Sequence, residues 1–165
     1  MEATRDEGKY LIIQDKTGNV ATFFRYKGIE LPFAKESLKV TLGQQKEADA
    51  VEMLRKRFVY CMGRGDRLLV DCDKLAIDFK AKFNDSTMFD TAKFFDFTEG
   101  RKSENYLKIV KEEENHGPGG LNPGHYMLDD NFNMSFSTQI QDPDELSKFV
   151  DSIPHSEKMR KIVIC

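Results

Sequence analysis

Tryptophan is absent from this chain of 165 residues, and cysteine and proline are scarce. The three cysteines, Cys61, Cys72 and Cys165, form neither a CxxC pair nor a Cys/His spacing that would bind zinc, so we expect free thiols in a reducing compartment. No apolar run reaches about 18 residues, and residues 1–8 are polar. The sequence therefore predicts neither a transmembrane helix nor a signal peptide.

An excess of positive charge is missing as well. Lys and Arg total 25 against 28 Asp and Glu, which leaves a net charge of −3 and a pI near 5.7. General nucleic-acid binders and anionic-membrane binders depend on summed positive potential along one face. We therefore expect neither nucleic acid nor a membrane among the partners of this chain.

Apolar residues are plentiful enough for one core. They make up 39% of the chain and include 13 phenylalanines, and a chain of this length buries one sizeable core more readily than two. Residues 1–165 are therefore predicted to form a single domain. We expect aromatic rings to supply much of its packing.

Five short apolar segments are predicted to be β-strands. The clearest lies in 67–73, where three consecutive aliphatic residues favour a strand that is covered on both faces. The predicted strands are 10–13, 38–42, 67–73, 133–138 and 161–164. The predicted helices are 20–27, 44–62, 75–83 and 144–150. This alternation predicts an α/β fold, with a mostly parallel five-stranded sheet between helices.

Residues 84–131 are predicted to be a loop-rich insertion. The phenylalanines within 88–97 form an apolar cluster that can be helical in part and can serve as core or as a docking surface. Residues 106–110 are compatible with a strand or with the end of a helix. The Gly- and Pro-rich residues 116–124 indicate a surface loop.

Several stretches place polar landmarks at the ends of these apolar strands. They are Tyr10-Leu-Ile-Ile-Gln-Asp-Lys-Thr-Gly-Asn-Val, Gly65-Asp-Arg-Leu-Leu-Val-Asp, Ile77-Asp, and Asn131-Phe-Asn-Met-Ser-Phe-Ser-Thr-Gln-Ile-Gln-Asp-Pro. In this order they resemble the fifth AAA+ module of dynein heavy chains. In that family one strand ends in Asp-Pro-Gln-Gly-Gln-Ala, and a phenylalanine-led strand ends in Thr-Thr-Lys before an Asn-Pro pair. The resemblance spans roughly residues 9–165.

The resemblance implies a degenerate, P-loop-like AAA+ module. The sheet would have the AAA+ order of strands, and the small helical lid that helps to close the nucleotide pocket would be missing. A dynein-like module on its own suggests a microtubule-based setting such as a cilium or axoneme, by analogy of fold.

The turn after the first strand differs from a working phosphate-binding loop. Such a loop needs several glycines, then a Lys for the phosphates and a Ser or Thr for Mg²⁺. Here Lys16 and Thr17 precede a single glycine, Gly18, and the acidic Asp15 would repel a triphosphate. We therefore expect a structural turn, in which Lys16, Thr17 and Gly18 contact a nucleotide only if the enzyme alternative below holds.

Asp71 stands where a magnesium-coordinating aspartate would stand, at the end of the central strand. AAA+ hydrolysis needs a glutamate beside it to orient water, and this chain has Cys72 there. Asp73 is predicted to cap a helix over 74–83. His116, His125 and His155 lack carboxylates or thiols at ligand spacing. We therefore predict no catalytic residue and no metal site.

Two hypotheses of function follow. The first is a non-catalytic AAA+-like protein-interaction or structural module of a cytoplasmic, axonemal or ciliary assembly, without a cofactor. The second is a small kinase or NTPase that binds ATP or ADP with Mg²⁺ where Lys16 and Asp71 converge, with Arg25 or Arg101 as a second positive charge. A third idea is a regulatory module that holds a nucleotide without turning it over.

Overall fold

Five parallel strands form one sheet in the computed structural model, which describes residues 7–165. The strands are β1 (Leu11–Asp15), β2 (Ile29–Leu31), β3 (Arg67–Asp71), β4 (Asn133–Thr138) and β5 (Arg160–Ile164). They lie in the order β2-β3-β4-β1-β5. The helices are α1 (Val20–Lys27), α2 (Phe33–Thr41), α3 (Glu47–Arg64), α4 (Thr91–Phe94), α5 (Ser103–Tyr106) and α6 (Pro143–Asp151). The predicted α/β fold with a five-stranded parallel sheet is confirmed.

The central strands are covered on both faces, as the sequence predicts. Leu68, Leu69 and Val70 of β3 are each completely buried, because Leu68 and Val70 pack into the core on one face of the sheet and Leu69 packs into the core on the other. All six residues of β4 are buried too. By contrast, β5 is an edge strand, and its Val163 is 55% exposed.

The two faces of the sheet carry cores of unequal size. Alternation along β1 directs Leu11 and Ile13 to one face, where they pack with Val20 and Phe24 of α1. The opposite face carries Ile12 and its neighbours, packed against α3, α6 and most of the phenylalanine rings. Each buried Phe ring contributes about 1.5–3 kcal/mol through burial, so the aromatic face dominates the stability of the fold.

Helix α3 shows how the sequence sets a boundary. Apolar residues at three- and four-residue steps form its buried face, as predicted from the sequence. Gly65 ends the helix at φ +70°, a left-handed conformation that glycine adopts without a steric penalty. Gly63 lies beyond the helix end predicted at residue 62 but is inside the helix. There its missing side chain leaves room for Tyr126.

The strand predicted at 38–42 is wrong. These residues belong to the end of α2 and the turn after it, and the missed strand is β2. The alternation that suggested a strand falls on the surface, since Leu38 is 48% and Leu42 is 69% exposed. The helix instead buries Phe33 and Ala34 at its start. A strand of three residues is too short for a periodic signal, and pairing with β3 creates it.

The helix predicted at 75–83 is also wrong, and Asp73 caps no helix. Asp73 has φ +48°, and its carbonyl accepts hydrogen bonds from Gln139 N–H (2.7 Å) and Thr138 Oγ1 (2.9 Å). The chain then runs through consecutive turns that bury Phe79 and Phe83 against Phe33. Tertiary packing of these rings overrides the local helical spacing.

The segment 84–131 folds back onto the core through short helices and turns. Its aromatic cluster is core, because Phe89, Phe94 and Phe95 are buried among other rings. Helix α4 makes that cluster partly helical. Tyr106 is the last residue of α5, and residues 107–110 form no strand. Across residues 7–165, no helix combines the length and the apolarity needed to cross a membrane.

Candidate functional site

Parallel pairing gathers the predicted site residues at the carboxyl edge of the sheet. Asp71 lies opposite Ser137 of β4, and Ile13, two residues before Asp15, lies opposite the same serine. Ligands of open α/β sheets bind at this edge. A nucleotide ligand would therefore bind between the turn after β1 and the end of β3.

The turn after β1 is closed by the carboxylate of Asp15. Asp15 Oδ1 accepts hydrogen bonds from Thr17 N–H (2.9 Å), Thr17 Oγ1 (2.7 Å) and Gly18 N–H (2.9 Å). Asp15 Oδ2 accepts a fourth from Val20 N–H (2.9 Å), in the first turn of α1. The amides that a phosphate-binding loop turns toward its ligand are thus bound by a side chain of the same chain.

The pKa of Asp15 reflects this arrangement. Burial by itself would raise the pKa, but the hydrogen bonds from Val20, Thr17 and Gly18 outweigh it and hold the pKa below the ordinary aspartate value. The carboxylate is consequently charged at neutral pH. A phosphate entering this turn would face that negative charge and would have to displace it from its four donors.

The three residues predicted to contact a nucleotide, Lys16, Thr17 and Gly18, all lie at this edge. They differ in the groups that they contact. The side chain of Lys16 is exposed and forms no ion pair with any residue in 7–165, while its backbone N–H donates to Ile164 O (2.8 Å). The Thr17 hydroxyl is bound to Asp15. Gly18 adopts φ +74°, and the Gln139 side chain is the nearest group to the position of a Cβ there (3.8 Å).

Asp71 ends β3 as predicted and is held by its neighbours. Its Oδ1 accepts from Ser137 Oγ (2.9 Å) and from Asp73 N–H (3.2 Å). Burial raises the pKa of Asp71 above the usual aspartate value, and those hydrogen bonds oppose the shift. Asp71 thus has a structural partner in Ser137, which the alternation of β4 alone did not reveal.

The residue after Asp71 offers no catalytic group. Cys72 is completely buried, with its Sγ 3.8 Å from Val70 O. Burial raises the pKa of this thiol well above its ordinary value, so it stays protonated. Burial likewise raises the pKa of Cys61 to about 12. Neither buried cysteine can supply a thiolate nucleophile at neutral pH.

Of the two arginines that the enzyme hypothesis names as a second positive charge, one is paired with a carboxylate and the other lies elsewhere in the fold. Arg25 is engaged by Glu30 through two hydrogen bonds. Arg101 donates to Phe132 O (3.0 Å) and Asp130 O (3.2 Å), carbonyls that precede β4 and so lie near the opposite edge of the sheet. Arg101 therefore cannot join Lys16 and Asp71 in one pocket.

Two surface cavities lie away from the carboxyl edge. One of about 210 Å³ is bordered by Tyr10 before β1, Asp96 after α4 and Lys158 before β5. The other, of about 700 Å³, lies between α3 and residues 113–126. No group of three or more His, Cys, Asp or Glu within residues 7–165 is arranged to hold a metal ion.

Comparison with protein-family models, with curated proteins and with solved structures gives no match. The geometry of the chain's own residues therefore carries the functional inference.

Proposed function

We propose that this chain is a non-catalytic, AAA+-like module that works by binding other proteins. The observation that carries the proposal is the closed turn after β1. Its amides are bound by the Asp15 carboxylate and are therefore not free to bind a phosphate.

The topology supports the AAA+ part of the proposal. The strand order β2-β3-β4-β1-β5 places β4 between β3 and β1, so that the end of β3 and the turn after β1 lie at the same edge of the sheet. Asp71 ends the strand that would carry the magnesium ligand, and the turn at Asp15–Val20 leads into α1 as a phosphate loop would. Within residues 7–165 no separate helical lid accompanies the sheet.

The chemistry at the end of β3 supports the non-catalytic part. Hydrolysis requires a group that orients water beside the metal-binding aspartate. The buried, protonated Cys72 occupies that position, and Asp71 is bound to Ser137. A module that does not hydrolyse nucleotide but keeps a stable fold can still serve as a subunit of a larger protein assembly. We place that assembly in the cytoplasm on microtubules, in a cilium or axoneme, through the dynein-like pattern of the strands.

Calorimetry with ATP or ADP and Mg²⁺ tests the absence of nucleotide binding. We expect no heat of binding at millimolar nucleotide for the wild-type chain. Binding that Lys16→Ala and Asp71→Asn both weaken would contradict the proposal and favour the small kinase or NTPase. Binding without phosphate release would instead favour the regulatory module that holds a nucleotide.

Fractionation of ciliated cells tests the proposed setting. A tagged chain should stay with the axoneme after detergent extraction and should be released by high salt. Complete recovery in the detergent-soluble fraction would overturn the axonemal part of the proposal. It would not affect the conclusion about nucleotide binding, which calorimetry tests separately.

A further inference from the structure

The larger cavity is a groove with a helix on one side and a glycine-rich loop on the other. Its helical side is formed by Lys56, Arg57, Tyr60 and Arg64 of α3, and its loop side includes Gly119–Gly120. We call this cavity, of about 700 Å³, the α3 groove. Its volume falls within the range of about 300–1,000 Å³ that is typical of ligand pockets.

The helical side of the groove carries unpaired positive charge. Arg57, Tyr60 and Arg64 follow at three- and four-residue steps, so they share one face of α3. Lys56 and Arg57 are exposed and form no ion pair with any residue in 7–165. Arg64 lies 5.0 Å above the Tyr60 ring and is paired with Asp66 (3.0 Å). On a chain with a net charge of −3, this is a local basic surface.

The two carboxylates that line the groove, those of Glu113 and Glu114, form no ion pair with Lys56 or Arg57. Glu114 is bound to Arg55, which is 1% exposed and points into the protein. Glu113 is exposed at the loop side of the groove. The positive side therefore belongs to α3, and an acidic ligand would bind along the helix and away from Glu113.

The loop side is held in place by hydrogen bonds, and its Gly119–Gly120 segment carries no side chain. Gly124 N–H donates to Asn115 O (2.7 Å), and Tyr126 N–H donates to Asn115 Oδ1 (3.0 Å). The Tyr126 hydroxyl donates to Val59 O (2.6 Å) of α3, which joins the loop to the helix. Gly119 and Gly120 have open space where a Cβ would stand. A main chain can thus approach this side closely.

We propose that the α3 groove binds an extended acidic peptide segment of a partner protein. Carboxylates of the segment bind Lys56 and Arg57, and an aromatic or apolar side chain packs on Tyr60, which is 48% exposed. The inference rests on the proposed function as an interaction module, and it adds the location of the interaction and the chemistry of the partner.

Fluorescence anisotropy with a defined peptide tests the groove. The probe is a fluorescein-labelled peptide of alternating glutamate and tyrosine, titrated with the full chain at low and high salt. The double variant Lys56→Glu with Arg57→Glu should weaken binding at least about tenfold, which corresponds to the loss of one charge-assisted contact or more. Lys80→Glu with Lys148→Glu is the matched control, because both lysines are exposed and lie outside the groove. An equal loss in both variants would overturn the proposal.

Tyr60→Ala and amide NMR shifts locate the peptide independently of charge. Tyr60→Ala should weaken binding at unchanged fold, and the shifts should centre on Arg57, Gly119 and Gly120. Shifts centred on Thr17 and Asp71 would overturn the groove assignment. If the peptide does not bind and Mg-ATP gives no heat, the proposed role of the groove is rejected and the proposed function is retained. Displacement of the peptide by Mg-ATP would reject both the groove and the proposed function.

Discussion

The turn after β1 and the α3 groove both gather groups that attract anions. In the turn a carboxylate of the chain itself already binds these groups, whereas in the groove two basic side chains have no such partner. At the turn, the Asp15 carboxylate binds the amides of Thr17, Gly18 and Val20. In the groove, Lys56 and Arg57 have no acidic partner among residues 7–165. The comparison shows that the carboxyl edge of a parallel sheet, where ligands usually bind, can have its anion-binding groups occupied while another surface leaves such groups free. An anion supplied by the chain itself must first be displaced, with the loss of its hydrogen bonds.

The largest effect is expected at the buried arginine that holds the loop side of the groove. Arg55 donates to Glu52, to Glu114 and to Ile109 O. Arg55→Ala leaves two carboxylates without this partner and should lower the free energy of unfolding by about 3–5 kcal/mol. Urea unfolding followed by circular dichroism measures it. Arg57→Ala is the neighbouring exposed control and should change stability by less than about 0.5 kcal/mol. Similar losses in both variants would show that the Arg55 network does not hold the loop.

A smaller loss is expected at the turn. Asp15→Ala removes four hydrogen bonds to a charged acceptor and should cost about 2–3 kcal/mol of unfolding free energy. Asn19→Ala is the matched control, because Asn19 precedes α1 without a side-chain capping bond. Its cost should stay below about 0.5 kcal/mol. If denaturant midpoints of the two variants coincide, the carboxylate is not what closes the turn.

Acid should weaken the loop side of the groove. The hydrogen bond from Arg55 lowers the pKa of Glu52 to about 2, and Arg55 also lowers the pKa of Glu114 although burial opposes it. Because the pKa of Glu52 in the folded chain lies below the ordinary value of 4.5, its ion pair adds to the free energy of unfolding above about pH 4.5. That contribution is lost as the pH falls toward 2. Solvent screening limits the loss to on the order of 1 kcal/mol. Unfolding measured along this pH range should show a flatter slope for Glu52→Gln than for wild type.

The smallest effect is expected at Lys16. Because its side chain is exposed and unpaired within residues 7–165, Lys16→Ala should change the unfolding free energy by less than about 0.5 kcal/mol. Thermal unfolding in the presence and absence of Mg-ATP measures both stability and ligand effect. A nucleotide-dependent rise in the wild-type midpoint that disappears in Lys16→Ala would show that the turn does hold a phosphate. The contrast with the α3 groove would then fail.

The predictable part of the fold comes from strong local patterns. The aliphatic run Leu68–Leu69–Val70, the helical spacing in α3 and the short helix predicted at 144–150 each depend on residues close together in sequence, and each is found at or near its predicted position. The strand β2 and the turns at 75–83 escaped prediction because neighbours distant in sequence decide them. Pairing with β3 makes Ile29–Leu31 a strand, and contact with Phe33 fixes Phe79 and Phe83.

The candidate sites divide in the same way. The sequence indicates that Asp15 disfavours a triphosphate, but it does not show that this carboxylate binds the amides of the turn. Nor does it reveal the α3 groove, since Arg55 and Glu114 are 59 residues apart along the chain. A buried arginine inside a basic run, as at Arg55-Lys56-Arg57, is a signal that helical periodicity could have found, because Arg55 falls on the apolar face of α3.

The sequence by itself determined the α/β class, the central strand, the long helix and the lack of a phosphate-binding motif in the turn after β1, because these depend on residue types and spacings within a few turns of chain. Only the tertiary structure decided which charges are satisfied. Charge pairing depends on distances between side chains that folding brings together, and it left the carboxyl edge closed by Asp15 and the α3 groove open.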